Sequence, residues 1–265
     1  GITTNRNKFV LGPSGSGKSF FMNHLVRQYY EQGTHVVLVD TGNSYQGLCG
    51  MIQRKTGGED GVYFTYTDAE PITFNPFYTN DGLFDIEKRE SVKTLILTLW
   101  KRDDEPPSRS EEVALSNAVN LYLEHIGRHP EHKPSFNGFY RFVGRDYRRL
   151  LRQKNVREKD FDIDNFLTVL EPYYEGGEYD YLLNSDKALD LLHKRFIVFE
   201  LDNIRDHKIL LPIVTIIIME TYIGKMRRLK GVRKVILIEE CWKALTSANM
   251  SEYIRYLYKT VRALF

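Results

Sequence analysis

Four residues in a fixed frame constrain this chain more than anything else in it. Gly12, Gly17, Lys18 and Ser19, within Lys8–Phe20 (KFVLGPSGSGKSF), satisfy the spacing G-x-x-x-x-G-K-[ST] in full. The apolar run Phe9, Val10 and Leu11 before them reads as a strand, and a helical pattern follows. Glycines at these positions let backbone N–H groups turn inward around a phosphate chain. A helix starting near Lys18 points its positive end at the same anion. Lys18 is placed to reach the β- and γ-phosphates, and the Ser19 hydroxyl to sit on Mg²⁺. The segment Gly12, Pro13, Ser14, Gly15, Ser16, Gly17, Lys18, Ser19 and Phe20 is therefore the candidate triphosphate-binding loop.

A site of this kind needs an α/β frame, and the pattern along the chain supplies one in two pieces. Thr34–Asp40 (THVVLVD) is a continuous β-branched run of the kind buried in parallel sheets, and Gly61–Tyr66 is a second strand candidate. Ile72–Phe77 reads as an extended segment. Arg195–Asp202 (RFIVFELD) and Val235–Glu239 are further strands, separated by a helix with Pro212 in its first turn. A last helix is expected to carry Ile254, Leu257, Tyr258 and Val261.

Between these pieces the strand signal fades. Val92, Leu95, Ile96 and Leu99 form one helical stripe. Ser108 and Glu111 are spaced as a capping box for a helix with Leu115, Val119, Tyr122 and Ile126. Phe136, Phe139, Tyr140, Val143, Tyr147, Leu150 and Leu151 mark another, and Asp164–Leu170 continues in that style. The organisation expected is an α/β core over residues 1–80 and 190–265, interrupted by an all-α insertion over 81–189.

Hydrolysis also needs a metal partner and a group that orients water. Val235–Glu240 (VILIEE) buries four apolar residues and releases two acids at the carboxyl end, where open α/β sheets place ligands. Glu239 is the candidate for holding Mg²⁺ through water, although aspartate is commoner there, and Glu240 for polarising the attacking water. Lys18 joins Glu240 as the catalytic pair. Asp40 closes a strand too, and is either a ribose or metal-water contact or a turn-starting aspartate. Glu200 and Asp202 read more simply as solvated strand-end acids. His125, His129 and His132 read as surface histidines, and Arg145, Arg148, Arg149, Arg152, Lys154 and Arg157 as a solvated basic face. Arg255 and Arg262 are weaker candidates for arginine fingers.

Bulk composition narrows the class. A net charge of +2 gives no global attraction to nucleic acid or acidic membrane. Cys49 and Cys241 are far apart and suggest neither a disulfide framework nor zinc, which fits a reducing compartment. The most apolar stretch, Leu210–Met219, is shorter than the roughly 20 residues a spanning helix needs. The chain begins at Gly1 and stops at Phe265 inside a helical pattern, and so reads as a segment of something larger.

Four blocks, FVLGPSGSGKSFFMNHL (Phe9–Leu25), VVLVDTGNSY (Val36–Tyr45), ITFNPF (Ile72–Phe77) and VILIEECWKAL (Val235–Leu245), resemble the VirB4/TraG-type conjugation ATPases of bacterial type IV secretion systems, particularly the TraG proteins of Bacteroides conjugative transposons. The resemblance implies a P-loop, RecA-like α/β core with a mostly parallel sheet and an all-helical insertion. It implies ATP and Mg²⁺ as ligands, and an ATP-hydrolysing motor that powers pilus assembly or substrate translocation. The partners implied are further subunits of the same protein (a hexamer or smaller oligomer), inner-membrane secretion components and a coupling protein, with direct DNA contact unproven. The place implied is the bacterial cytoplasm, peripheral at the inner face of the inner membrane. The family's γ-phosphate sensor and trans-acting arginine are expected beyond Phe265. A HerA/FtsK-like DNA translocase, a small-molecule P-loop kinase and a nucleotide-binding interaction module without turnover are the competing readings.

Overall fold

The computed structural model describes residues 10–13, 15–67, 71–79, 82, 84–102, 104–129, 131–186, 191–239, 251 and 255. Its centre is a four-stranded parallel sheet in the order β2-β3-β1-β4, built from β1 (His35–Asp40), β2 (Val62–Thr65), β3 (Phe196–Glu200) and β4 (Lys234–Ile238). Val37 pairs with Ile197 on one side and Ile236 on the other, so β1 is hydrogen-bonded along both edges.

Every residue of β1 and β3 is buried, which is why both read as unbroken apolar runs instead of alternating ones. Their side chains divide between two cores. Val36, Leu38, Phe196 and Val198 face α1 (Lys18–Glu31) and α2 (Gln46–Lys55), meeting Met22, Val26, Cys49 and Ile52. Val37, Val39, Ile197 and Phe199 face the other way, onto Ile213, Ile216 and Ile217 of the long helix α9 (Leu210–Arg228). Helices thus cover both faces of the sheet.

The stretch between β2 and β3 is helical among the described residues. It comprises α3 (Ile86–Trp100), α4 (Arg109–Arg128), α5 (Phe136–Phe142), a π-turn over Val143–Tyr147, α6 (Arg148–Gln153), α7 (Ile163–Leu170) and α8 (Asp180–Leu183). The Ser108 cap forms as expected: its hydroxyl accepts from Glu111 N at 3.3 Å, and the Glu111 carboxylate accepts from Ser108 N at 2.7 Å. Phe77 sits in the centre of this stretch, its ring 5.1 Å from that of Tyr122 and 5.4 Å from that of Phe139. The aromatic core runs on without a break to α9 and the sheet. The two ends of the stretch meet: Phe74 N donates to Leu182 O at 2.8 Å and Ser185 N to Phe74 O at 3.3 Å.

Two expectations need correction or qualification. The strand expected over Phe9–Leu11 is not formed by its described residues. Val10 and Leu11 lie outside the sheet and are exposed, because no described strand flanks them to complete a ladder. The last helix falls almost wholly outside the described residues; within it Ser251 and Arg255 are helical and Arg255 is exposed. Among the described residues no helix is long and apolar enough to cross a membrane.

Candidate nucleotide-binding site

The loop before α1 takes the shape its glycines permit. Gly15 and Gly17 have φ of 75° and 80°, the left-handed region in which a side chain is strained. Ser16 N donates to Pro13 O at 3.2 Å, and a Cβ on Gly12 would stand 2.6 Å from Ser16 Oγ. Ser14 lies outside the described residues.

Helix α1 then begins at Lys18 with no side-chain cap on Gly17 and no acid in its first turn. Four other helices are capped, Asp85, Ser108, Ser135 and Asp162 each accepting a backbone N–H at the start of α3, α4, α5 and α7, whereas the residues preceding α1, α2, α6, α8 and α9 supply no side-chain cap. The first-turn donors of α1 therefore keep their capacity for an anion. Lys18 Nζ donates to Gly12 O at 3.4 Å, closing the loop on itself, and Phe20 is exposed.

Three acids stand at the carboxyl edge of the sheet, and each has a different task. Asp40 and Glu200 are register partners, and Glu239 follows β4 with its N–H donating to Val39 O at 2.9 Å. The Glu200 carboxylate is buried and accepts from the backbone N–H groups of Asn43 (2.8 Å), Asp202 (2.9 Å) and Gly42 (3.3 Å). It is a brace for the β1–α2 loop, so the expectation of a solvated strand end is overturned. Asp202 does behave as expected, pairing with Arg205 at 3.0 Å in a half-exposed position.

Asp40 is fully buried. Its Oδ2 accepts from Ser44 N at 2.6 Å, and Oδ1 has no hydrogen-bond partner among the described residues. Burial first, then the charge of Glu200, with a further contribution from Glu239, pushes its carboxyl up to about 6. A side chain so enclosed starts the loop and has no access to a ribose.

Glu239 accepts the hydroxyl of Tyr45 at 2.6 Å. Tyr45 is fully buried, and burial followed by this bond pushes its phenol well above the usual range. Asn43, with φ of 57°, occupies the left-handed region and is held there by Tyr63, whose hydroxyl donates to Asn43 Oδ1 at 2.7 Å.

One side chain joins this loop to the phosphate loop. The Asn23 carboxamide donates to Ser19 O and to Ser44 O, both at 3.0 Å. Ser19 on α1 and Glu239 beyond β4 are thereby linked through Asn23, Ser44 and Tyr45. The donor set suits Mg²⁺, which takes most of its ligands from phosphate and water and needs only one or two protein oxygens. Among the described residues no three His, Cys, Asp or Glu side chains form a metal cage. Glu240 lies outside the described residues.

The histidines and the basic run stay apart from this site, and Arg262 lies outside the described residues. His125, His129 and His132 form a ring cluster with centroids 4.7 to 6.1 Å apart, and His129 pairs with Glu131. Within the basic run, Arg148 pairs with Asp164, Arg149 with Asp146 and Arg157 with Asp160. Sequence reasoning missed Asn23, Tyr45 and Tyr63. The one available signal was an aromatic closing the polar run DTGNSY, where a solvent-facing turn has no use for a large ring.

The whole chain, residues 1–265, matches a family model described as the TraG P-loop domain. It is 25% identical over 265 residues to Protein TraC of Escherichia coli K12, covering 98% of this chain and 28% of TraC. It is 22% identical over 257 residues to the type IV secretion system protein virB4 of Bartonella henselae, covering 97% of this chain and 29% of that protein. The chain thus spans under a third of the length of these curated relatives. The structure of VirB4 of Thermoanaerobacter pseudethanolicus superposes with a TM-score of 0.64 over 96% of this chain and 66% of that one, at 19% identity. That likeness establishes a shared parallel α/β P-loop fold.

Proposed function

The chain belongs to the TraG P-loop domain family, and from that premise we propose that it is the ATP-hydrolysing motor unit of a conjugative type IV secretion apparatus. The observation that carries the proposal is the continuity of the site: the uncapped start of α1, with Lys18 and Ser19, is tied by Asn23 to the loop whose Tyr45 holds Glu239.

In this reading the backbone N–H groups of Gly15, Gly17, Lys18 and Ser19 bind the phosphates, and Lys18 exchanges the Gly12 carbonyl for a phosphate oxygen. Ser19 and Glu239 would hold the cation, which would supply charge neutralisation to the phosphates. Glu240 orients a water, which attacks the γ-phosphorus. As that bond forms, the bond to the bridging oxygen breaks, and Glu240 accepts the proton.

Residues 1–80 and 190–265 serve as the ATPase core, and 81–189 as the helical insertion through which hydrolysis moves neighbouring parts. The unit works among further copies of itself, with inner-membrane secretion components and a coupling protein, at the cytoplasmic face of the inner membrane.

The deciding measurement is phosphate release by the natural full-length protein and its Glu240→Gln variant. Retained ATP binding with turnover reduced about 100-fold or more is the expected result. Turnover at the wild-type rate would sink the assignment. Adding DNA separates the readings further, since strong stimulation by DNA would favour a translocase.

A further inference from the structure

We propose that Tyr45 is a positioning residue, which fixes the carboxylate of Glu239 in the orientation that receives the cation of a bound nucleotide. The proposal rests on the functional reading above and adds a residue to it.

Tyr45 immediately precedes α2, and its ring is fully enclosed in the core shared by α1, α2 and the sheet. From there its hydroxyl crosses to Glu239, 194 residues away in sequence, and donates to Oε1 at 2.6 Å. Glu239 is half-buried beyond β4, the end strand of the described sheet, and Tyr45 is its side-chain partner there. A glutamate in that position has three torsions to fix, and one short bond to a rigid donor removes most of that freedom before any ligand arrives. The bond engages Oε1, and the other carboxylate oxygen is the one assigned to a metal-bound water.

The loop that leads into Tyr45 is held by four side chains. Asp40 holds Ser44 N at 2.6 Å, and Glu200 holds the N–H groups of Gly42 and Asn43. Tyr63 holds the side chain of Asn43, and Asn23 holds the Ser44 carbonyl. A tyrosine that merely needed an acceptor would not require a loop braced at each of the three residues before it, Gly42, Asn43 and Ser44. The brace also starts on α1, so the orientation of Glu239 is set from the same helix that grips the phosphates.

The test is Tyr45→Phe in the full-length protein, which keeps the buried ring and removes only the hydroxyl. The readout is Mn²⁺ affinity of the ADP complex, followed by electron paramagnetic resonance, alongside the Mg²⁺ dependence of turnover. Loss of a bond to a charged acceptor predicts Mn²⁺ binding about tenfold weaker or more, with metal-free nucleotide affinity unchanged. In a Glu239→Ala background the same change should cost nothing further. Wild-type Mn²⁺ affinity in Tyr45→Phe, or an equal loss in both backgrounds, overturns the proposal and leaves the site reading standing. Wild-type Mn²⁺ affinity in Glu239→Ala alone overturns the site reading and this proposal with it. Fluorotyrosine at position 45 provides a second readout with the fold intact: a stronger phenol donor should change Mn²⁺ affinity stepwise, and a flat response counts against the role.

Discussion

Asn23 and Ser44, on different elements and 21 residues apart, are joined by a 3.0 Å hydrogen bond from carboxamide to backbone carbonyl. The same carboxamide reaches back to Ser19 O, so one side chain fixes the spacing between the phosphate-loop helix and the loop that serves Glu239. Asn23→Ala removes both bonds. At about 1 kcal/mol each, the melting temperature should fall by roughly 4 to 8 °C. Turnover should fall by more than nucleotide affinity does. A loss confined to stability in paired calorimetric and phosphate-release measurements would show that Asn23 is a brace only.

Lys18 has a different profile. Its described contact is the carbonyl of Gly12 at 3.4 Å in an exposed loop, so the fold draws little from it. Lys18→Ala should leave the melting temperature within about 1 °C of wild type, the range typical of surface substitutions. Binding of a fluorescent ATP analogue should weaken by at least about tenfold. Unchanged binding would remove the lysine from the site.

The stability of the nucleotide-free protein should depend on pH through Asp40. Its carboxyl titrates near 3.8 when unconstrained and at about 6 in the fold, so the folded state holds the proton more tightly. The stability this contributes is fully present below about 3.8 and is lost as pH rises through about 6. Asp40→Asn keeps an acceptor for Ser44 N and removes the repulsion from Glu200 and Glu239. The variant should therefore melt higher than wild type at pH 8, by an amount on the order of 3 kcal/mol, with the advantage shrinking towards pH 4. A pH-independent difference between the two proteins would refute the assignment.

Phe77 tests whether the helical stretch and the sheet share one core. It is fully buried between Tyr122 and Phe139, in an apolar body that extends to α9. Phe77→Ala should cost about 3 to 5 kcal/mol in denaturant titration. A single transition should persist if the core is shared. Two separated transitions would mean that the helical stretch unfolds by itself.

The sequence carried some of this plainly and some not at all. Strands β1 and β3 were legible because both faces of each are covered, which demands the apolar runs VVLV and FIVF. The cap at Ser108 was legible because it is complete within four residues. Glu200 was misread because its environment comes from a loop more than 150 residues earlier, which folds back over the strand end. The π-turn at Val143–Tyr147 was hidden since its buried residues still fall four apart, as they would in an α-helix. Tyr45 escaped notice for the same reason as Glu200. Its partner is set by the parallel register of β1 and β4, which spacing along the chain does not encode.

The bonds between Phe74 and the pair Leu182 and Ser185 close the helical stretch into a ring at its base. Both feet of that ring stand on the same spot, so the two ends of the stretch cannot separate without breaking these bonds. Its apolar core is continuous with the inner face of α9 and, through Val37 and Val39, with β1. The strand that ends in Asp40, and that leads into the Tyr45 loop, therefore shares one packed body with the helical stretch and cannot shift without it.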